Sequence, residues 1–322
     1  MKSLPMLMSI VIPVYNEEKV LLQFHQALID ELEKFPGEYD YEIWYVAGGS
    51  TDATSDIIKN LYRENPKTKL LELSRNYGHQ AALTAGLDYA RGDIVITMDG
   101  DGQHPPQIIP VLVNAYEQGY DLVLTQRKTT EKLDFLSRWL SKTFYRVINI
   151  LSNSELVPNS SDFRLMSREV VDEFCTMREQ HRFIRGMVMW MGYRQTIVKF
   201  DAPERLGGES KFTLRRRIKL AGDAIFSFSI SPILLVIYAG ILLLTFAILY
   251  VIYLIIVVLT VGLDNLPPGW ASLMLVILSI GGMQLVTTGI IGYYVGLTFQ
   301  ESKDRPVYFV NKRLSTLDDE DK

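Results

Sequence analysis

Two aspartates that are two residues apart, Asp99 and Asp101, offer the clearest chemistry in this sequence. They follow the apolar run at residues 94–96, and a strand that ended there would project both carboxylates. Mg²⁺ prefers oxygen ligands and usually takes one or two carboxylates, with water and substrate phosphates in its other positions. A solvated acidic turn after a strand has the same spacing, so the pair alone is a weak signal. The pattern indicates a metal site for a diphosphate ligand when other motifs accompany it.

Predicted strands and helices alternate along the first half of the chain, and they would position this pair of aspartates. In open parallel sheets covered by helices, ligands bind at the carboxyl ends of the strands, where the strand order reverses. The alternation predicts an α/β domain with a mostly parallel sheet, and it predicts that Asp99 and residues 15–17 share one cleft. The predicted strands are residues 9–14, 41–46, 69–73, 93–98 and 122–125, and the predicted helices are near residues 19–35, 54–65, 79–91 and 106–118.

The C-terminal third has the composition of a transmembrane hairpin. Residues 224–263 and 265–300 contain no charged side chain, and each stretch exceeds the roughly 20 apolar residues that cross a bilayer. The sequence predicts spans at residues 231–261 and 271–299. Lys and Arg flank both spans and are absent from the loop between them, so the positive-inside rule predicts cytoplasmic termini and a cytoplasmic N-terminal domain.

The predicted organisation therefore has four parts. They are a catalytic domain at residues 1–205, an amphipathic interfacial segment at 206–229, two transmembrane helices at 230–300 and a cytoplasmic tail at 301–322 that ends in acidic residues. No signal-peptide pattern is visible, and the single Cys175 permits no internal disulfide, which agrees with a reducing compartment. With a formal net charge of −4, the chain has no strongly basic balance, and we expect no nucleic-acid partner.

Four stretches, in this order, carry a resemblance to a known family. They are SIVIPVYNEE at residues 9–18, LSRNYG at 73–78, MDGDGQHPP at 98–106 and SSDFRLMSR at 160–168. Together they resemble the family 2 inverting glycosyltransferases. More narrowly, they are similar to the polyisoprenyl-phosphate branch, which includes dolichyl-phosphate mannose synthase and the GtrB-type bactoprenol glucosyltransferases. The two-span hairpin fits that branch as well, so the resemblance covers nearly the whole chain.

The resemblance implies a GT-A (Rossmann-like) domain that binds a nucleotide sugar, with a UDP-sugar expected. The implied reaction is inverting transfer of one hexose, with glucose from UDP-glucose as the best guess, to undecaprenyl phosphate at the cytoplasmic face of the inner membrane. Membrane lipids are expected partners, and the sequence is compatible with a homo-oligomer. The implied cofactor is Mg²⁺ or Mn²⁺, held by Asp99, Asp101 and Gln103, although Gln103 also suits a polar position at a helix start.

The resemblance also assigns roles around the reacting carbon. Asp162 is the expected catalytic carboxylate, together with Asp101, and a buried ion pair between Asp162 and Arg164 is the alternative interpretation. For Arg75 a surface salt bridge is the alternative. The expected donor-binding residues are Pro13, Tyr15, Glu17, Gly48, Arg75, Asn76 and Asp99.

An ionised lipid phosphate needs cationic side chains more than it needs a base. Basic and hydroxyl residues near the predicted strand ends and before the first span could supply them. The expected acceptor-phosphate residues are Arg127, Arg138, Ser141, Arg164, Arg205, Ser210 and Lys211.

One segment departs from the family pattern. Residues 46–52 read VAGGSTD, whereas relatives carry acidic residues that contact the nucleotide base at the positions of Ala47 and Gly48. Either donor affinity is reduced or the chain is a variant that lacks this contact.

Two other functions share part of this sequence pattern. A processive polysaccharide synthase is disfavoured by the absence of a Gln-x-x-Arg-Trp pattern and by only two spans. A non-catalytic membrane assembly protein with a degenerate domain is disfavoured by the retained aspartates.

Overall fold

The computed structural model describes residues 5–35, 39–128, 160–180, 182–203, 231–261 and 269–317. The chain divides into two compact units. The first comprises Met1–Arg217 together with Arg305–Lys322, and the second is Ile218–Asp304.

The first unit contains a seven-stranded sheet with the order β3-β2-β1-β4-β6-β5-β7. Its pairs are parallel except those of β6, which runs antiparallel to both β4 and β5. The chain builds β2 and β3 on one side of β1 and then places β4 on the other side, so the strand order reverses at β1. This confirms the predicted mostly parallel α/β sheet. The strands are β1 (Met6–Val14), β2 (Tyr39–Ala47), β3 (Thr68–Glu72), β4 (Ile94–Thr97), β5 (Leu122–Arg127), β6 (Ser160–Ser167) and β7 (Gln195–Phe200).

The helices of this unit lie between the strands, and the four predicted ones are present with ends that differ by a few residues. The helix expected at residues 106–118 begins as a separate 3₁₀ turn, Pro106–Ile108, and continues as an α-helix with Pro110 in its first turn. A proline is tolerated at such a position because the first-turn N–H groups have no partner within the helix. The helices are α1 (Leu21–Leu32), α2 (Thr54–Glu64), α3 (His79–Tyr89), α4 (Ile109–Glu117), α5 (Arg168–Thr176) and α6 (Ile184–Trp190).

Helix α3 packs directly on the central strand β1. At Gly86, a Cβ atom would lie only 2.2 Å from Val11 Cγ1, so this close approach requires glycine. Strand β1 is buried on both faces from Met8 to Val14, which explains its nearly continuous apolar sequence. The close packing sets the height of α3 above the sheet, and His79 begins this helix.

The described part of the C-terminal tail covers the edge strand β3. Leu73 bridges Val310 in antiparallel fashion, Ser74 N donates to Phe309 O at 2.8 Å, and Asn311 N donates to Glu72 O at 2.7 Å. An edge strand left open would offer unpaired backbone groups, and the tail occupies them. The sequence predicts this segment only as a separate cytoplasmic tail. The acidic residues 318–321 lie outside the described residues.

The second unit contains two long apolar helices, α7 (Ser231–Val261) and α8 (Trp270–Glu301). The stretches Val236–Val257 and Ser279–Glu301 are long and apolar enough to cross a membrane, by length and composition. Their apolar side chains are exposed in the described residues, for example Leu259 at 80% and Leu285 at 76%. The predicted interfacial segment at 206–229 lies outside the described residues, as do residues 262–268 of the loop between the two predicted spans.

Candidate active site

Strand register brings together the predicted metal ligand Asp99 and the predicted catalytic carboxylate Asp162. Strands β4 and β6 run antiparallel with Thr97 opposite Arg164. Asp99 follows Thr97 by two residues and Asp162 precedes Arg164 by two, so in this antiparallel pair the two aspartates lie at the same end of the sheet. Thr97 Oγ1 donates to the carbonyl oxygen of Asp162 at 2.5 Å and reinforces this register. A long sequence separation thus becomes a short spatial one.

Asp162 is the centre of a group of charged side chains that we call the ion cluster: Asp99, Asp162, Arg164, Arg185 and His79. Its Oδ1 accepts from Arg164 Nη2 at 2.6 Å and from Arg185 Nε at 3.0 Å, and its Oδ2 accepts from Arg185 Nη2 at 2.8 Å. Burial alone would raise the pKa of Asp162, but Arg185, a hydrogen bond from His79 and Arg164 hold it well below its usual range. Asp162 is therefore an ionised carboxylate.

Arg164 is the buried partner within the ion cluster. It is 1% exposed, and Nη2 also donates to Ser161 O at 3.3 Å. Burial lowers the pKa of Arg164 to about 10, so the guanidinium stays charged at neutral pH. The ion pair between Asp162 and Arg164, which the sequence left as an alternative to catalysis, is present. The predicted contact of Arg164 with an acceptor phosphate stays a prediction.

Two histidines flank Asp99. His79 Nε2 lies 3.5 Å from Asp99 Oδ1 and 3.5 Å from Asp162 Oδ2, so the imidazole joins the two carboxylates. Burial lowers the pKa of His79, but Asp162 and Asp99 outweigh it and raise the pKa overall.

His104 lies behind Asp99 and is fully buried. Its Nδ1 accepts from Asp99 N at 2.7 Å, and its Nε2 lies 2.5 Å from Ser161 Oγ. Burial lowers the pKa of His104, so the ring is neutral, and the Nδ1 bond places its proton on Nε2, which donates to Ser161. The ring therefore fixes the backbone that carries Asp99.

The loop after Asp99 is turned toward strand β5. Asp101 Oδ1 accepts from Gln103 N at 3.0 Å, and Gln103 Oε1 accepts from Arg127 Nη1 at 3.1 Å. Among the described residues, no group of three or more His, Cys, Asp or Glu side chains is arranged to hold a metal ion. Because Mg²⁺ usually takes only one or two protein carboxylates beside substrate phosphates, Asp99 and Asp101 suit an ion that binds jointly with a phosphate.

On the other side of the strand-order reversal, two loops form what we call the loop pair: residues 15–18 after β1 and residues 48–54 after β2. Asn16 Oδ1 accepts from Thr51 N at 2.8 Å, and Glu17 N donates to Thr54 Oγ1 at 2.9 Å. Tyr15 is 39% exposed at the end of β1, and Pro13 is buried within β1 beside Val46 of β2. The loop pair is thus closed by its own hydrogen bonds.

A third loop, residues 74–78, packs against the loop pair at Gly49. A Cβ atom there would lie 3.2 Å from the backbone of Arg75 and Asn76, and the φ of Gly49 is +70°. Arg75 stacks over the Tyr77 ring at 4.1 Å, and Asn76 Oδ1 accepts from Gly78 N at 2.8 Å. Gly48 differs from Gly49, because nothing lies within 4 Å of a Cβ built on it.

Sequence reasoning missed three residues of this site, His79, His104 and Arg185. The first directly follows LSRNYG and the second lies inside MDGDGQHPP, so their adjacency to motifs already singled out was an available signal. Arg185 lies in none of the four stretches, and only the fold brings it to Asp162. Five predicted acceptor residues lie outside the described residues: Arg138, Ser141, Arg205, Ser210 and Lys211.

Comparison with known proteins gives consistent matches. The profile of the family described as Glycosyl transferase family 2 matches residues 9–175. An uncharacterized glycosyltransferase of Synechocystis sp. is 40% identical over 304 residues, which cover 94% of each protein. The bactoprenol glucosyl transferase of Shigella phage SfII is 37% identical over 307 residues, covering 95% of this chain and 98% of that protein.

Among solved structures, glucosyl-3-phosphoglycerate synthase from Mycobacterium tuberculosis, crystallised with Mn²⁺, UDP-glucose and phosphoglyceric acid, is more distant. Its TM-score is 0.46 at 19% identity, with 69% of this chain and 78% of that chain covered.

Proposed function

The chain belongs to glycosyl transferase family 2 and is a GT-A glycosyltransferase, and we propose that it transfers one hexose from a nucleotide sugar to a polyprenyl phosphate. The observation that supports this most is the placement of Asp99 opposite Asp162 at the reversal point of the sheet. The two apolar C-terminal helices and the near full-length similarity to a bactoprenol glucosyl transferase favour a lipid acceptor. We propose UDP-glucose as donor and undecaprenyl phosphate as acceptor.

The proposed reaction is a single displacement at the anomeric carbon. An oxygen of the lipid phosphate forms the new bond to C1, and the bond from C1 to the nucleotide diphosphate breaks with its electron pair leaving on the diphosphate. The configuration at C1 inverts. Since the lipid phosphate is already ionised, no proton has to be removed. Asp162, ionised and held by arginines, would therefore orient the sugar and stabilise developing positive charge near C1.

In this proposal, Asp99, Asp101 and Gln103 hold Mg²⁺ or Mn²⁺ together with the donor diphosphate. The ion would neutralise charge on the departing diphosphate as a Lewis acid. Two other side chains support this arrangement. His104 accepts from Asp99 N and fixes the Asp99 backbone, and Arg127 donates to Gln103 Oε1 and orients that amide.

The donor base and ribose would lie on the loop pair, against Pro13, Tyr15, Glu17 and Gly48, with Arg75 and Asn76 beside them. The acceptor phosphate would meet Arg127, as well as Arg138, Ser141, Arg205, Ser210 and Lys211, and the buried Arg164 would act on it through its charge.

We propose a multi-pass membrane protein with the catalytic domain and both termini on the cytoplasmic side. A reporter fused after Lys322 should then be cytoplasmic, and an outer-face signal in intact cells would contradict this topology.

The decisive experiment measures lipid products. The purified full-length protein is incubated with Mg²⁺, undecaprenyl phosphate and each of several radiolabelled nucleotide sugars, and the extracted lipid is analysed by mass spectrometry. We expect one hexose per lipid with an inverted anomeric configuration, and greatest transfer from UDP-glucose. Products with two or more sugars would favour a processive synthase. The absence of labelled lipid with every donor would overturn the proposal.

A further inference from the structure

The side chains that contact Asp162 carry more positive charge than this one carboxylate balances. Arg164 and Arg185 both form ion pairs with it, at 2.6 Å and 2.8 Å, and His79 lies 3.5 Å away. Arg164 alone neutralises the carboxylate and is already buried with it. The second guanidinium is therefore not needed to neutralise Asp162, and Asp99 supplies a second negative charge to the ion cluster.

The two arginines differ in their access to the cleft. The Arg164 side chain is 1% exposed, whereas that of Arg185 is 36% exposed. Withdrawal of Arg164 from Asp162 would leave a buried charge without compensation. Arg185 can leave Asp162 without that penalty, because Arg164 remains in place. The arginine that Asp162 does not need for neutralisation is thus the one that is partly open to solvent.

The backbone that carries Arg185 is fixed beside the site. Ile184 N donates to Gln80 Oε1 at 3.0 Å, which ties the start of α6 to the start of α3. Ile184, Met187 and Val188 are buried, so α6 is packed into the first unit. Arg185 also acts on His79, which lies 3.5 Å from Asp99, so rotation of the Arg185 side chain would bring the guanidinium toward Asp99 without a backbone shift.

We infer that Arg185 is a phosphate-binding residue of the transferase, held on Asp162 until a substrate phosphate accepts its guanidinium. This inference rests on the proposed function. The planar fork of arginine suits bidentate binding of phosphate as well as of carboxylate. Two substrate phosphates could take it, the diphosphate of the donor and the phosphate of the lipid, and they require different experimental readouts.

A matched arginine outside the site provides the control. Arg178 donates from Nη1 and Nη2 to Asp88 at 2.7 and 3.0 Å, so it has the same bidentate geometry as Arg185. Asp88 also accepts from the hydroxyl of Tyr308 at 2.6 Å, which brings no second charge. The substitutions Arg185→Gln and Arg178→Gln therefore remove equivalent groups, one from a carboxylate that also pairs with a second arginine and one from Asp88, far from the aspartates of the site.

The test compares these variants with wild type in two measurements, the Kd of UDP by calorimetry and the KM of undecaprenyl phosphate in the transfer assay. If Arg185 binds the donor diphosphate, Arg185→Gln should raise the UDP Kd about tenfold or more and leave the lipid KM near wild type. If it binds the acceptor, the lipid KM should rise by that factor with the UDP Kd unchanged. Arg178→Gln should change neither constant more than twofold.

The inference is overturned if Arg185→Gln leaves both constants within twofold of wild type, even if kcat falls, because Arg185 would then act only through Asp162. If Arg185→Gln does not fold, Arg185→Lys supplies the same two readouts, since it keeps the charge and loses the fork. Failure of the wild-type protein to bind UDP and to label lipid would instead refute the proposed function. That outcome is visible before any variant is compared.

Discussion

The loop pair and the ion cluster lie at the same edge of one sheet, yet different interactions hold them. In the loop pair, backbone N–H groups donate to side-chain oxygens, as in Thr51 N to Asn16 at 2.8 Å and Ala53 N to Glu18 at 3.1 Å. In the ion cluster, Asp162 is 5% exposed and pairs with two arginines. Several weak hydrogen bonds hold the loop pair together, whereas the ion cluster depends on the balance of a few buried charges.

This difference predicts where the site tolerates change. A typical hydrogen bond contributes about 1 kcal/mol net, whereas loss of one partner from a buried ion pair costs about 3–5 kcal/mol. The departure from the family pattern falls at Ala47, the last residue of β2, and at Gly48, the first of the loop pair, where neighbouring hydrogen bonds can keep the loops closed. An equivalent departure at Asp162 would leave Arg164 buried and uncompensated.

The largest effect is expected for Asp162→Asn. It should abolish transfer and lower the free energy of unfolding by about 3–5 kcal/mol, because Arg164 loses its counter-charge. Chemical denaturation of the full-length protein in detergent measures the second effect. Asp201→Asn is the control, since Asp201 pairs with Lys128 on the surface, with side chains 71% and 53% exposed, and should cost under about 1 kcal/mol. An equal loss in the free energy of unfolding for the two variants would show that the ion cluster is no more sensitive than a surface ion pair.

Asp99→Asn should separate activity from stability. The Asp99 side chain is 28% exposed, and the fully buried Arg164 keeps Asp162 as its partner. We therefore expect transfer to fall at least about a hundredfold while the free energy of unfolding changes by less than about 1 kcal/mol. Asp101→Asn and chelation by EDTA should have the same effect on transfer. Full transfer in EDTA would contradict a metal-dependent site.

Acid should weaken the ion cluster selectively. The pKa of Asp162 is well below its usual range in the folded protein, so its contribution to stability is complete above the unfolded pKa of about 3.9 and is lost as the pH falls toward the folded pKa. The stability difference between wild type and Asp162→Asn should grow as the pH falls through the raised pKa of His79, level off by about pH 5 and shrink below about pH 4. Denaturation curves at each pH measure it, and a gap that still grows below about pH 4 would reverse the sign assigned to Asp162.

The sequence predicted those parts of the fold that local patterns determine. Apolar strands such as β1 and charge-free stretches such as α7 follow from periodicity and composition, and Asp99 was predicted because it follows a strand end. The positions of His79 and Arg185 depend on tertiary packing. His79 reaches Asp99 because α3 packs on β1 at Gly86, a contact with no local sequence pattern.

The C-terminal tail shows the same limit. Its lysines and arginines predicted a cytoplasmic flank, and the short run VYFV at residues 307–310 has strand-forming residues but does not identify a partner strand. The tail pairs with β3 through Val310 and places the Tyr308 hydroxyl on Asp88 of α3. Such pairing depends on an edge strand far away in the sequence, and local propensity does not encode it.

A negative charge added to the loop pair should have a moderate effect on the affinity for the nucleotide. Nothing lies within 4 Å of a Cβ at Gly48, so the site accommodates a side chain. If the loop binds the donor base as in relatives, Gly48→Asp should lower the Kd of UDP about tenfold or more, because a hydrogen bond to a charged group contributes about 1.5–3 kcal/mol. Gly48→Asn has similar shape without charge and should gain less. An unchanged or higher Kd in calorimetry would show that this loop binds the base in another way.

The smallest effect is expected at Asn16, where the side-chain hydrogen bonds to Thr51 can be removed without any change of charge. Asn16 has a φ of 55°, a left-handed conformation that glycine adopts without strain, and its Oδ1 accepts from Thr51 N. Asn16→Gly should therefore lower the free energy of unfolding by about 1 kcal/mol. Asn16→Ala should cost roughly 1 kcal/mol more, because its Cβ makes that conformation unfavourable. Both variants should keep the KM of the nucleotide sugar within about threefold, since the bonds from Glu17 N to Thr54 and from Ala53 N to Glu18 still close the loops. If Asn16→Gly proved as destabilising as Asp162→Asn, the loop pair would depend on a single side chain as strongly as the ion cluster depends on a single charge.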